Sequence, residues 1–305
     1  MLGRRTLLGS ALAASIARPV FAQQSGATDL MPGFWPVYDS SRSEPLEVRA
    51  KAIIAGYFQP TLDAQQGAGI GRVDLARWLT VFDPIADEVR RLSAAFPQTW
   101  RDQVERFRQH LPDAASDARV TIMLSFMNFD ARVRLWHDKL ALFVGLDGVV
   151  AIHGRGADLA VLLDHESFHL YHHQVNPSLI LPNGDTIWLG IWKEGLAVYA
   201  CRVLNPQRSH LQILLGDREL AAITPETLCK IARELPPVLG ATDGQTRARY
   251  LNYGYRGDIP ARNGYALGLA IADRVARGRS LGELARIPAP EIEKLVRDEI
   301  TAIAG

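Results

Sequence analysis

The sequence predicts an α+β fold, a small mixed sheet beside one functional helix within a mainly helical chain. Three observations carry that expectation. Residues 119–126 (RVTIMLSF) and 140–146 (LALFVGL) are apolar, β-branched runs of strand length. Much of the remaining chain places apolar residues at three- and four-residue spacing, the helical period. Residues 165–169 read HESFH, and two histidines four apart stand one above the other on a helix, so both imidazoles face the same point.

The chain opens with a targeting segment rather than structure. Met1 to Arg5 is a short positive stretch, Thr6 to Ala17 is moderately apolar, and Val20-Phe21-Ala22 fits the small-x-small cleavage rule. A signal peptide of residues 1–22, cleaved after Ala22, implies export, in a bacterium to the periplasm. Arg4-Arg5 ahead of Thr6-Leu7-Leu8 has the form of a twin-arginine signal, with a Sec signal as the alternative. The apolar run, about a dozen residues, is too short to cross a bilayer, so no stable membrane insertion is expected. Cleavage takes the formal net charge from +1 to −2, because the segment holds three arginines and no acid. Neither value suggests a nucleic-acid partner.

Residues 23–116 then read as an extended lead-in, rich in Gly, Pro and Ser up to Pro45, followed by a helical region. Its helical pattern runs from Glu47 to His110, as in VDLARWLTVF at 73–82 and WRDQVERF at 100–107, with Pro84 and Pro97 as breaks. Near Asp117 the texture changes to the two strand-like runs. Asp147-Gly148 offers a tight turn into a further strand-like run at 149–153. Asp158 is placed to cap a helix that carries Leu159, Leu162 and Leu163 into HESFH. Residues 182–185 read as a turn, 191–203 as a helix stopped near Asn205-Pro206, and 207–240 as helical again. Residues 240–260 look loop-like, and a last helix starts near Gly264 and reaches Val275. Residues 117–305 are thus expected to form one compact unit with 46–116. No repeat or low-complexity tract interrupts it.

Only two cysteines occur, Cys201 and Cys229. In an oxidising compartment they could close a loop of roughly 28 residues by a disulfide, or they could be two small buried hydrophobes.

The HESFH string carries the chemistry. HExxH on a helix supplies two metal-binding imidazoles and a glutamate that can reach water at the metal. Strands followed at once by such a helix give the zincin-like arrangement, in which a strand edge holds an extended peptide. His172 and His173 lie about 10 and 12 Å along the axis from His165, too far to share its metal, and read as polar residues at the helix end or cleft rim. A HExxHxxGxxH site is excluded, because Val175 stands at its third histidine position. The candidate third ligand is Glu194, an isolated carboxylate in an otherwise apolar helical stretch, where an unpaired charge is costly. Gly195 and Ala197 beside it leave room for a facing helix.

HExxH followed by WKEGLAVY at 192–199 resembles the gluzincin-type zinc metallopeptidases. It is closest to a bacterial group known as predicted Zn-dependent proteases, whose later motif matches PARNGYALG at 260–268. The resemblance covers roughly residues 120–276. It implies one Zn²⁺ per chain, bound by His165, His169 and Glu194, with Glu166 as general base. Val198 stands where thermolysin-like enzymes carry an aspartate that supports a histidine ligand. In the last motif, Gly264, Gly268 and Ala272 form a small-residue stripe suited to close helix packing. Tyr265 could donate to a tetrahedral oxyanion or be a half-buried core tyrosine; Arg262, Tyr255 and Arg256 are competing donors. The expectation is an exported zinc metallopeptidase acting on a peptide or protein substrate. The rivals are a non-catalytic zinc-binding envelope protein on a peptidase-like fold and a zinc hydrolase of a non-peptide amide or ester.

Overall fold

A computed structural model describes residues 22–24, 26–114, 119–181 and 184–305. The expected signal segment up to position 21, the 115–118 stretch and Pro182-Asn183 of the expected turn lie outside the described residues. The chain is α+β and mainly helical, with one small mixed sheet. Among the described residues no helix is long and apolar enough to cross a membrane.

The sheet contains β1 (Ala22–Gln24), β2 (Ala27–Asp29), β3 (Arg119–Met123), β4 (Ala131–Trp136) and β5 (Lys139–Gly145), in the order β1-β2-β3-β5-β4. Strands β2, β3 and β5 run parallel, while β4 pairs antiparallel with β5 and forms an edge. The β4–β5 hairpin turns on His137 and Asp138, both with positive φ (48° and 59°), which matches the twist of the flanking strands. Strand β4 was not foreseen in the sequence, although its residues alternate polar and apolar.

Among the described residues five α-helices precede β3: α1 (Met31–Ser41), α2 (Leu46–Ile53), α3 (Leu62–Gly67), α4 (Leu75–Phe82) and α5 (Ala86–His110). Two expectations are corrected here. The lead-in is not extended throughout, because α1 starts where the Asp29 carboxylate accepts from Met31 N at 2.9 Å, and it buries Phe34 and Tyr38. Pro97 does not break the chain either but sits inside α5. A proline there costs about 3 kcal/mol, and burial of Phe96 and Trp100 on either side, rings stacked 6.3 Å apart, opposes that cost.

The expected turn at Asp147-Gly148 and the strand after it are instead α6 (Leu146–His153). The reason is local. The buried Asp147 carboxylate accepts from Ser125 N at 2.7 Å, Met127 N at 2.8 Å and Trp78 Nε1 at 3.1 Å. It thereby shapes a loop in which Phe126 and Met127 both take positive φ. Gly148 serves close approach: a methyl there would lie 1.8 Å from Phe129 O. Beyond α6, Asp158 caps α7 (Leu159–Val175) as expected, accepting from Val161 N at 3.3 Å. Helix α8 (Ile187–Leu204) ends before Asn205-Pro206, also as expected.

The 207–240 region is not one helix but three short ones, α9 (His210–Ile213), α10 (Arg218–Ala221) and α11 (Pro225–Glu234). The loop expected at 240–260 contains α12 (Gly244–Leu251), capped by Asp243 through Thr246 N at 2.9 Å and anchored by buried Tyr250 and Leu251. Helices α13 (Asn263–Val275), α14 (Leu281–Ala285) and α15 (Ala289–Ala304) complete the chain.

Apolar residues gather mainly in two cores, one between α1–α6 and the sheet, the other among α8 and α11–α15. Helix α7 joins them, giving Leu162 and Leu163 to the first and Phe168 and Tyr171 to the second. Cys201 and Cys229 are both free, so the disulfide alternative is not realised. Cys201 is buried in α8 against Val161 O, whereas Cys229 in α11 points to Ala304 O.

Asp147→Ala leaves two backbone N–H groups and an indole N–H unsatisfied in the interior. It should lower the stability to thermal or urea unfolding by about 2–4 kcal/mol; an unchanged melting temperature would show that the loop holds its shape without the carboxylate.

Candidate metal centre

Helix α7 is held in place from behind. Asp164 Oδ2, fully buried, accepts from Arg106 of α5 at 3.0 Å and from Asn205 at the end of α8 at 2.8 Å. Burial pushes the Asp164 carboxyl up to about 6, against the pull of Arg106 and Asn205. One position on, about 100° around the axis of α7, His165 and with it His169 face Glu194 of α8.

Helix α8 is positioned by α13. A methyl on Gly195 would lie 2.0 Å from Gly268 C, and one on Gly268 would lie 2.1 Å from Ile191 O. The two backbones are therefore in direct contact, with Ala272 buried further along the same stripe. Next to Gly195, Glu194 reaches both histidines. Its Oε2 lies 3.2 Å from His165 Nε2 and 3.3 Å from His169 Nε2, and the two imidazole nitrogens are 3.1 Å apart. Three ligand atoms bound tetrahedrally at about 2.0–2.1 Å stand roughly 3.3 Å from one another, so this triangle fits a single small cation. Among the described residues, these three side chains form the group that could hold a metal ion.

The three groups shift one another: burial lowers both imidazoles, but at His169 the charges of Glu194 and Glu166 outweigh it and raise that ring. Burial alone would raise Glu194, but the His169 charge and hydrogen bonds from both histidines hold it well below the usual carboxylate range. Burial lowers His165 toward the neutral form that ligates a metal. Glu166 opens on the same cleft as the triangle. Burial pushes its carboxyl up to about 8, with the charges of Asp130 and Glu194 adding and His169 opposing. A carboxylate tuned in this direction is suited to taking and returning a proton near neutral pH. Support for the ligands is sparse: the buried His165 Nδ1 has no hydrogen-bond partner among the described residues, and Val198 is a buried apolar neighbour.

The cleft has a volume of about 330 Å³, and Asp130, Tyr253, Arg262 and Tyr265 share its lining with the triangle. Tyr265, in the first turn of α13, lies parallel to the His165 ring at 6.1 Å, and burial together with the nearby Glu194 charge holds its hydroxyl in the protonated form. Arg262 is buried in left-handed backbone (φ 54°). It donates to Tyr253 Oη at 2.9 Å and Asp217 Oδ2 at 2.8 Å, with its guanidinium 3.9 Å from the Tyr253 ring centroid and 4.9 Å from that of Tyr265. One arginine thus fixes two phenols over the cleft.

The sequence missed Tyr253 and offered two neighbours in its place. Tyr255 instead bonds Arg249 and Asp258 away from the cleft, and Arg256 donates to the carbonyls of Tyr253 and Tyr255. The two extra histidines are outside the triangle, as distance required. His172, however, is not a rim residue: it is buried beside the Phe168 ring, with neither ring nitrogen hydrogen-bonded among the described residues. Burial keeps it neutral, which removes the cost of a buried charge.

No family model, no curated protein and no solved structure matches this chain. The chemistry therefore rests on the residues of the cleft itself.

Because Gly268 lets α8 approach, Gly268→Ala should push Glu194 away from the histidines. The expected result is at least about a tenfold loss of divalent-metal affinity, the scale on which misplaced supporting groups act, read by competition with a chromogenic chelator. Undiminished affinity in a folded variant would separate the helix contact from the metal site.

Proposed function

We propose that this protein is an exported zinc-dependent metallopeptidase of the gluzincin type. The observation that carries the reading is the His165–His169–Glu194 triangle with Glu166 opening on the same cleft. Two imidazoles and one carboxylate suit zinc by ligand type and by spacing. Zinc, when bound there, supplies a Lewis acid and makes water a nucleophile near neutral pH.

The protein's own side chains do the rest. Glu166 accepts a proton from the attacking water and returns it to the leaving amine. Tyr265, beside Arg262, would donate to the oxyanion that develops on the peptide carbonyl, and Tyr253, whose hydroxyl accepts from Arg262 and donates to Asp130 Oδ2 at 3.4 Å, would do so on exchanging that bond. Arg262 acts through these phenols, its two terminal nitrogens donating to Tyr253 and Asp217. Strand β4 begins at Ala131, which lines the cleft, and is an unpaired sheet edge. An extended substrate can add to that edge by main-chain hydrogen bonds. A role confined to binding metal gives no task to Glu166, whose carboxyl is raised yet makes no part of the ligand triangle.

Two variants test this assignment. Glu166→Gln should reduce peptide hydrolysis by about 10²–10⁴-fold while zinc content stays near one per chain. Undiminished turnover, or loss of the metal, would remove Glu166 from the role of base. Glu194→Ala should empty the site under dialysis, and a fully loaded variant would show that the third ligand lies elsewhere.

A further inference from the structure

A second and larger cavity, of about 720 Å³, lies beside the metal cleft. Leu215 lines both, and His153 in the second bonds Asp130 in the first at 2.8 Å. The two are thus neighbouring compartments with a shared wall. Leu215 forms part of that wall from left-handed backbone (φ 58°), an uncommon state for a bulky side chain that tends to persist where the surroundings fix it.

The charge of the second cavity differs sharply from that of the cleft. Arg91, Arg155, Arg208 and Arg218 line it, and Asp158 is the one acid among its lining residues. Arg91 is paired with Glu88 at 2.7 Å and Arg208 with Asp158 at 3.1 Å. Arg155 has a single 3.4 Å bond to Pro84 O, and Arg218 makes no ion pair among the described residues. Two arginines are therefore left without an ion pair among the described residues, Arg155 feeling Glu88 only at longer range, on a chain whose formal net charge is only +1. The positive end of the 17-residue helix α7 opens on the same space. These arginines come from four separate places, on α5, after α6, before α9 and at the start of α10. Charges dispersed in this way suit a chain of spaced carboxylates better than one compact anion, which needs donors converging on a point.

We propose that this arginine-lined cavity receives an acidic stretch of the substrate, so that the preferred substrates are peptides bearing two or more carboxylates a few residues from the scissile bond. The inference rests on the peptidase reading of the adjoining cleft.

The test uses two fluorogenic peptides that differ only in a Glu-Glu-Asp or Gln-Gln-Asn segment, cut by the zinc-loaded full chain. At low salt the acidic peptide should have a kcat/KM at least about tenfold higher, and the advantage should shrink at high salt. In the Arg155→Gln/Arg218→Gln variant it should fall to within about twofold through KM, with the neutral peptide unaffected. An advantage that survives in that variant overturns the proposal. A second measurement needs no turnover: labelled hexaglutamate should bind Glu166→Gln protein, as read by fluorescence anisotropy, and bind at least about fivefold more weakly once both arginines are replaced. If neither peptide is cut but hexaglutamate binds through the arginines, the peptidase reading fails and the acidic-ligand site stands. If both peptides are cut equally and hexaglutamate does not bind, the site fails and the peptidase reading stands. Binding of inorganic phosphate with no binding of hexaglutamate overturns a peptide as the occupant.

Discussion

A carboxylate held against two imidazoles in the lining of a cleft is the constraint around which this molecule is arranged. Partial burial makes an unpaired carboxylate costly, and Glu194, with 24% of its side chain exposed, is compensated chiefly by two imidazoles within 3.3 Å of it. To reach that distance, α8 has to lie close to α7, and α8 is fixed in turn by glycine-to-glycine contact with α13. The grip on α7 comes from the residue next to His165, through Asp164 to Arg106 and Asn205. All three candidate ligands therefore sit on helices packed into the interior, which suits a centre that tolerates little displacement.

The parts of this arrangement that follow one helix were legible in the sequence. The four-residue spacing of His165 and His169 determines that their imidazoles converge, whatever the rest of the fold. Glu194 was conspicuous because a carboxylate had no business in an apolar helical stretch, and the Gly264–Gly268–Ala272 stripe announced a close neighbour without saying which. Asp158 could be read as a cap because its role is settled within three residues. What could not be read depended on distant partners. Asp147-Gly148 has the composition of a turn, yet Asp147 answers to Ser125, Met127 and Trp78, and Gly148 to Phe129. Tyr253 and Tyr255 are indistinguishable by type, and only the course of the loop past Arg262 decides which one faces the cleft. Pro97 reads as a break unless the burial of its neighbours is known. The edge strand β4 did leave a signal, Arg and apolar residues in alternation ahead of a two-residue turn, which the arginines made easy to pass over.

Two neighbouring compartments of opposite character emerge from this packing. One is narrow and built from carboxylates and imidazoles, so it is electron-rich until a cation enters. The other is broad and bordered by guanidinium groups. A single loop, from α9 to α10, supplies Leu215 to both and sends Asp217 to Arg262. The tyrosines over the cleft and the wall toward the arginines are thus supported by the same short segment, which couples the shape of one compartment to that of the other.

Strand β4 has a further consequence for the life of the molecule at high concentration. An unpaired edge is a template for any extended chain, including another copy of itself, and Leu135 at its far end is 69% exposed. Arg132 and Arg134 interrupt the apolar character of that edge, Arg132 donating to Ala68 O and Arg134 packing against Gly69. They act as gatekeepers: mutual repulsion and the hydration of two guanidinium groups discourage edge-to-edge stacking into fibrils.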